Sequence, residues 1–317
     1  MRLECPRCGY TTDEYRYKCP RCGSPLELAT PIDYKSILGE GDTPLVEEEY
    51  KGRRIYLKLE YLNPTGSFKD RGVSASIQVA RRLGYRCVVE DSSGNTGIST
   101  AAYAAHEGLK AYITTPRGAA EGKKRLIQAL GATLITTDTR EEAARRAEEL
   151  SGECFYIAHA WSPIFIDGIS RIAREIPEDL AELPIFIPVS SGTLLLGLYR
   201  GLTGRGYKPR IYAVQSPQAD SLARRVSQVK VIGSGQGLLD ALVYRDPPRI
   251  REMTGAAAGV YVVGWSVARR YYEWLLRRGY IIEPSSSVVL AALDHARGVD
   301  EALLILTGSG LKYIGSL

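Results

Sequence analysis

Asparagine is almost missing from this chain: of 317 residues only two are Asn, at positions 63 and 95. Arg outnumbers Lys by 30 to 11. Scarcity of a thermolabile amide beside abundant charge is the compositional mark of a heat-adapted protein. It also makes the exceptions informative, since a position that keeps Asn where Asn is avoided needs a carboxamide. No apolar run approaches the ~20 residues that span a bilayer, and the opening MRLECPRCGY has no apolar signal-peptide core. The expected location is cytoplasmic, with no membrane partner. Net charge is +5, but the basic residues are dispersed, which argues against a nucleic-acid footprint. There is no G-x-G-x-x-G and no Walker lysine, so nothing suggests a polyphosphate ligand. Low-complexity tracts and internal repeats are also missing. What remains is a chain with 44% apolar and 24% charged residues, the balance of a globular enzyme long enough for two domains.

Cysteine is scarce and unevenly placed. Four of six fall in the first 22 residues as C-x2-C-x10-C-x2-C: Cys5, Cys8, Cys19 and Cys22. Each pair sits in a CPRCG knuckle, where Gly9 or Gly23 permits the turn that aims two thiolates at one ion. Four thiolates make a closed tetrahedral zinc site, hence a structural Zn2+ and a zinc ribbon over residues 1–28. Two disulfides are the alternative, disfavoured in a cytosolic chain. Cys87 and Cys154 read as buried strand residues.

Beyond the ribbon, strand and helix signals alternate. Strands are expected at 54–60, 87–90, 111–115, 133–137, 154–158, 184–189, 210–214 and 302–306. Helices are expected at 98–107, 121–130, 140–150, 166–176, 193–202 and 267–278. This order predicts an α/β fold with mostly parallel sheets. Residues 216–260, rich in Gly and Ser, read as a long, partly irregular segment.

In such sheets ligands sit beyond the carboxyl ends of strands. In IFIPVSSGTLLLG, Ser190, Ser191, Gly192 and Thr193 follow an apolar strand and open a helix. Small residues and free N–H groups there suit one phosphate monoester, although a plain helix cap has the same look. In EDSSGNTGIS, Ser92, Ser93, Asn95 and Thr96 crowd a second helix start and suit a carboxylate. In LLILTGSG, Thr307 and Ser309 stand where the last strand stops, and a neutral hydroxyl there suits a heterocyclic nitrogen. NPTGSFKDRG, which looks like a turn, adds Lys69 between Phe68 and Asp70. An amine among apolar and glycine neighbours is desolvated and its pKa falls, as a Schiff-base lysine requires. A ligand with an aldehyde, one phosphate and a ring nitrogen is pyridoxal 5′-phosphate.

NPTGSFKDRG, SSGNTGIS, PVSSGTLLLG, EPSSS and LTGSGLK, in this order over residues 40–314, resemble the fold-type II pyridoxal-phosphate enzymes. The chain is most similar to threonine synthases and threonine synthase-like proteins, including those with amino-terminal zinc knuckles. The resemblance implies two doubly wound α/β domains of the tryptophan synthase β-like kind with the cofactor between them. The large, cofactor-binding domain would comprise 29–65 and 151–317, and the small one 66–150. It implies that Lys69 bonds covalently to the cofactor and that Asn95 hydrogen-bonds the ring hydroxyl. Ser190, Ser191, Gly192, Thr193 and Leu194 would wrap the phosphate, and Thr307 would approach the pyridine nitrogen. Ser92, Ser93, Thr96 and His159 would bind substrate. A homodimer is implied as well.

The activity implied is conversion of O-phospho-L-homoserine and water to threonine and phosphate. One departure weighs against it. Threonine synthases carry an Asn-Pro-Tyr-Arg-type segment whose arginine grips the substrate phosphate. Here the segment is His159-Ala160-Trp161-Ser162-Pro163-Ile164-Phe165, with Phe165 in the arginine's place, so that Phe165→Arg is expected to raise activity on phosphorylated donors. The alternative is a serine/threonine dehydratase or a β-replacement synthase with the same cofactor. A remoter one is a non-catalytic protein that binds RNA or a partner through its basic ribbon.

Overall fold

A computed structural model of the chain describes residues 1–92 and 94–313. The ribbon opens the chain. Its strands β1 (Leu3–Glu4), β2 (Thr11–Thr12) and β3 (Glu27–Leu28) form a three-stranded antiparallel sheet in the order β2-β1-β3. The buried core of this piece is Leu3, Cys5, Cys19 and Leu26. Two leucines and two cysteines are too little apolar surface to fold a ribbon unaided.

A hairpin follows, β4 (Leu45–Tyr50) against β5 (Arg53–Lys58). Its two-residue turn is Lys51-Gly52, with φ of 53° and 75°. Positive φ at both positions matches the twist of the strands it joins. Next come α1 (Lys69–Arg82), β6 (Cys87–Glu90), α2 (Asn95–His106), β7 (Lys110–Pro116), α3 (Glu121–Ala129), β8 (Thr133–Thr137), α4 (Arg140–Leu150), β9 (Phe155–Tyr156) and α5 (Pro163–Ser170). The four strands pair in parallel in the order β8-β7-β6-β9. The remainder contributes β10 (Pro184–Pro188), α6 (Thr193–Gly204), β11 (Arg210–Gln215), β12 (Val229–Ile232), α7 (Ile250–Ala256), β13 (Gly259–Val263), α8 (Trp265–Arg277), α9 (Val288–Asp294) and β14 (Glu301–Ile305). With the hairpin these strands form a seven-stranded sheet, β12-β13-β11-β10-β14-β5-β4, parallel except for β4. The chain is therefore an α/β fold, as expected.

The chain divides into two compact units. One comprises Met1–Gly41 and Lys69–Ile169, the other Asp42–Phe68 and Ser170–Leu317. Residues 151–169 go with the first because β9 completes its sheet beside β6. The ribbon also belongs to the first. Tyr15 stacks on Phe155 at 4.0 Å and donates to the Tyr156 carbonyl at 2.6 Å, and the Tyr17 hydroxyl donates to Glu148 at 2.7 Å.

Three local expectations change. Residues 216–260 hold two strands and a helix rather than an irregular span, and β13 lies inside the sheet between β12 and β11. NPTGSFKDRG is half turn and half helix, because α1 starts at Lys69. Cys87 and Cys154 are not free strand thiols: they form a disulfide closing 67 residues of chain, between the start of β6 and the residue before β9.

Candidate active site

Lys69 is the first residue of α1, and its Nζ lies 5.5 Å from the Phe165 ring centroid. Phe165 is wholly buried on α5. It packs on Gly72 of α1 so closely that a Cβ there would stand 2.5 Å from its ring. Helix α1 buries Asp70, Arg71, Ser74 and Ser76 among small apolar residues.

Beyond β6 the chain runs through Asp91 and Ser92 into α2. Ser92 is buried, and its Oγ accepts the Gly94 amide at 3.3 Å. Ser93 lies outside the described residues. Asn95 and Thr96 are the first two residues of α2, whose N-terminus is capped by no side chain among the described residues. Gly97 is required by close approach: a Cβ there would lie 1.7 Å from the Ser92 carbonyl oxygen. The Ser92 carbonyl thus lies against the start of α2, a helix end that favours negative charge.

Also in this unit, Glu90 at the end of β6 meets His159, past the end of β9, with Oε1···Nδ1 at 2.5 Å. Glu90 is fully buried and His159 is 5% exposed. Burial pushes the Glu90 carboxyl up to about 8, against the lowering effect of the His159 amide and Lys69. Burial and the Lys69 charge push His159 down to about 3. Asp91 is raised to about 6 by burial and by Glu90, and accepts the Tyr156 hydroxyl at 2.8 Å. Both shifts run toward the uncharged form of each group.

The second unit carries the remaining candidates at the carboxyl ends of two adjacent strands. Strands β10 and β14 pair through Ile185↔Leu303 and Phe186↔Leu304. Past β10, Ser190, Ser191 and Gly192 lead into α6, which starts at Thr193 and has no side-chain cap. Gly192 has φ 86°, a left-handed conformation that costs glycine little. Ser191 Oγ lies 3.4 Å from Thr193 Oγ1, and Thr193 and Leu194 are buried. Ser190 Oγ accepts the Val243 and Tyr244 amides at 3.2 and 3.0 Å. Those amides come from the segment that sequence reading left irregular.

Past β14, Thr307 sits in a buried polar knot. Ser286 Oγ accepts the amides of Thr307 at 3.0 Å and Gly308 at 3.2 Å. With both lone pairs occupied, its proton points to Thr307 Oγ1, 3.0 Å away. Thr307 is then the donor to its other neighbour, Glu283 Oε1, at 3.5 Å. A neutral, hydrogen-donating hydroxyl fits an unprotonated ring nitrogen. The NPTGSF strip runs alongside: Phe68 N donates to the Thr307 carbonyl at 3.2 Å and Ser309 N to that of Gly66 at 2.9 Å. Asn63 has a structural task here. Its Nδ2 donates to the Glu60 carbonyl at 2.8 Å and carboxylate at 3.0 Å, and Thr43 donates to the same carboxylate at 2.7 Å. That partner set uses a carboxamide's donors, which explains one of the two asparagines.

The ribbon cysteines converge. Cys5 and Cys22 Sγ lie 3.5 Å apart, as do Cys8 and Cys19, and all four ligand atoms lie within 4.8 Å of one another. They are not disulfide-bonded. Zn–S bonds of ~2.3 Å in a tetrahedron separate sulfurs by ~3.8 Å, so the donor set fits zinc. Glu90 had no role in the sequence pattern, and Glu283 and Ser286 of the EPSSS motif had none of their own. The detectable signal for Glu90 was a carboxylate ending an otherwise apolar strand.

The sequence profile of the family described as "Pyridoxal-phosphate dependent enzyme" matches residues 37–308, so the chain belongs to that family. It is a fold-type II enzyme of lyase type that uses pyridoxal phosphate. More particularly, it is 29% identical over 300 residues to threonine synthase of Bacillus sp. (strain ULM1), spanning 87% of this chain and 84% of that one. It is 28% identical over 314 residues to threonine synthase of Synechocystis sp., spanning 91% and 80%. Maize serine racemase shares the fold, with a TM-score of 0.73, 22% identity, and 84% of this chain and 88% of that chain covered.

Proposed function

We propose that the protein is a threonine synthase-type lyase that takes O-phospho-L-homoserine and water to threonine and phosphate. What carries this reading is the likeness to threonine synthases along nearly the whole chain. The cofactor, when bound, supplies an electron sink for charge at the carbon next to the substrate amino group. Lys69 holds its aldehyde end and, released, moves protons at Cα and Cβ. Asn95 would hydrogen-bond the ring hydroxyl, and Thr307, with Ser286 behind it, would donate a hydrogen bond to the ring nitrogen. Ser190, Ser191, Gly192, Thr193 and Leu194 hold the phosphate with backbone amides and hydroxyls. Ser92, Ser93 and Thr96 take the substrate carboxylate at the α2 N-terminus, and His159 contributes a polar contact beside Lys69. Cys5, Cys8, Cys19 and Cys22 hold one structural Zn2+. The homodimer and the cytoplasmic location belong to the same reading.

One observation favours a second reading, a dehydratase or β-replacement synthase. Phe165 stands where a phosphate-binding arginine is expected, and it is sealed in the core against Gly72. An arginine there would bury a guanidinium, so Phe165→Arg is now expected to destabilise the unit rather than improve phosphate recognition. A substrate panel separates the readings. Threonine and phosphate from phosphohomoserine support the first. A 2-oxo acid and ammonia from serine or threonine, with no phosphate released from phosphohomoserine, would overturn it.

A further inference from the structure

The Glu90–His159 contact is built rather than incidental. Strands β6 and β9 are held in register by Val88↔Phe155 and Val89↔Tyr156. One residue before each of the first pair, the Cys87–Cys154 disulfide ties the same two strands. Glu90 is the last residue of β6. His159 follows Ala158, a buried non-glycine residue in the left-handed region at φ 47°. The Ala158 carbonyl accepts the Trp161 and Ser162 amides at 2.8 and 2.9 Å, so the turn into α5 keeps that conformation. Strained backbone of this kind persists where its surroundings enforce it. Both carboxylate oxygens engage His159: Oε1 at Nδ1, 2.5 Å, and Oε2 at the backbone amide, 3.4 Å. Glu90 thus holds His159 at both its ring and its backbone.

The charged and titratable groups around the pair are Lys69 from α1, Arg140 from α4, Asp91 next to Glu90, Tyr156 from β9 and Tyr15 from the ribbon. The Phe165 ring of α5 stands 5.9 Å from the imidazole and 5.5 Å from the Lys69 amine. The two cations discourage a third at His159, and burial discourages a carboxylate at Glu90, so each group is driven toward its uncharged form.

We propose that Glu90 is a positioning residue: as a neutral carboxylic acid it donates to Nδ1 of His159 and fixes the imidazole as the Nε2–H tautomer, a neutral hydrogen-bond donor in the neighbourhood of Lys69. Such a donor serves an oxygen anion, a substrate carboxylate or a departing phosphate. That service rests on the function proposed above, whereas the tautomer does not.

The test is nitrogen-15 NMR of the labelled holoenzyme. The chain has three histidines, and the spectrum of His159→Gln assigns the signal of interest. The expected result is a ring with Nδ1 bare and Nε2 protonated, unchanged from about pH 5 to 7.5. Glu90→Gln should keep this tautomer, because a carboxamide N–H still donates. Glu90→Ala should release it, so that the ring titrates closer to the ordinary histidine range. In turnover, Glu90→Ala should lose about tenfold in kcat with KM little changed, and Glu90→Gln should recover most of it. An Nδ1–H tautomer or an imidazolium at pH 7 in the unaltered protein would overturn the proposal even if Glu90→Ala does not fold. A chain that turns over no substrate while showing the Nε2–H tautomer would refute the proposed function and leave this assignment standing.

Discussion

Glu90 ties residue-scale chemistry to a measurable pH dependence. Its ordinary pKa of 4.5 rises to about 8 in the folded chain, and that of His159 falls from 6.5 to about 3. A raised acid binds its proton more tightly when folded, so its contribution to stability is complete at low pH and is lost as pH rises to about 8. A depressed histidine acts in the opposite sense: its contribution is complete above pH 6.5 and is lost as pH falls toward 3. Asp91, raised to about 6, loses its contribution between its ordinary 3.8 and 6. Between pH 6.5 and 8 only Glu90 of the three still changes, and stability should fall by about 1 kcal/mol per pH unit. Glu90→Gln should flatten that slope in urea melts at fixed pH values; an unchanged slope would show that Glu90 does not carry the buried proton. At Phe165, truncation to Ala removes a wholly buried ring from the α1–α5 contact and should cost about 3–5 kcal/mol in the same assay.

At the scale of elements, the ribbon and the disulfide both act on β9. Tyr15 stacks on Phe155 and bonds the Tyr156 carbonyl, so Tyr15→Phe should cost about 1 kcal/mol and Tyr15→Ala several times as much. On the proposed zinc site, a chelator should weaken the same contacts, read as a change in near-ultraviolet tyrosine dichroism and a lower melting temperature; no change in either would contradict a structural zinc. Cys87–Cys154 closes 67 residues, a constraint worth about 4 kcal/mol on the unfolded chain. Thiol titration of the denatured, chelator-treated protein should find four thiols before reduction and six after. Six before reduction would contradict the disulfide.

How much of these elements was readable follows from their chemistry. Strand Thr133–Thr137 and helix Arg140–Leu150 are found where expected because polar turns bound them and Thr139 with Glu142 forms a capping box. Helix α1 was hidden because it buries Asp70, Arg71, Ser74 and Ser76, which erases the apolar period. Strand β13 was hidden among glycines, and its burial comes from its sheet neighbours rather than its local pattern. The loops after β6, β10 and β14 could be placed because small polar residues end each apolar strand there. The Glu90–His159 pair could not, since 69 residues separate partners that only strand register brings together.

For the whole molecule, the family match across residues 37–308 fixes the cofactor and leaves the covalent attachment point as the central claim. Borohydride reduction of the cofactor-saturated protein, followed by peptide mass mapping, tests it most directly. One phosphopyridoxyl group per chain is expected, on the peptide containing Lys69, and no incorporation in Lys69→Ala. A label on any other lysine, or none on protein saturated with pyridoxal phosphate, would contradict it.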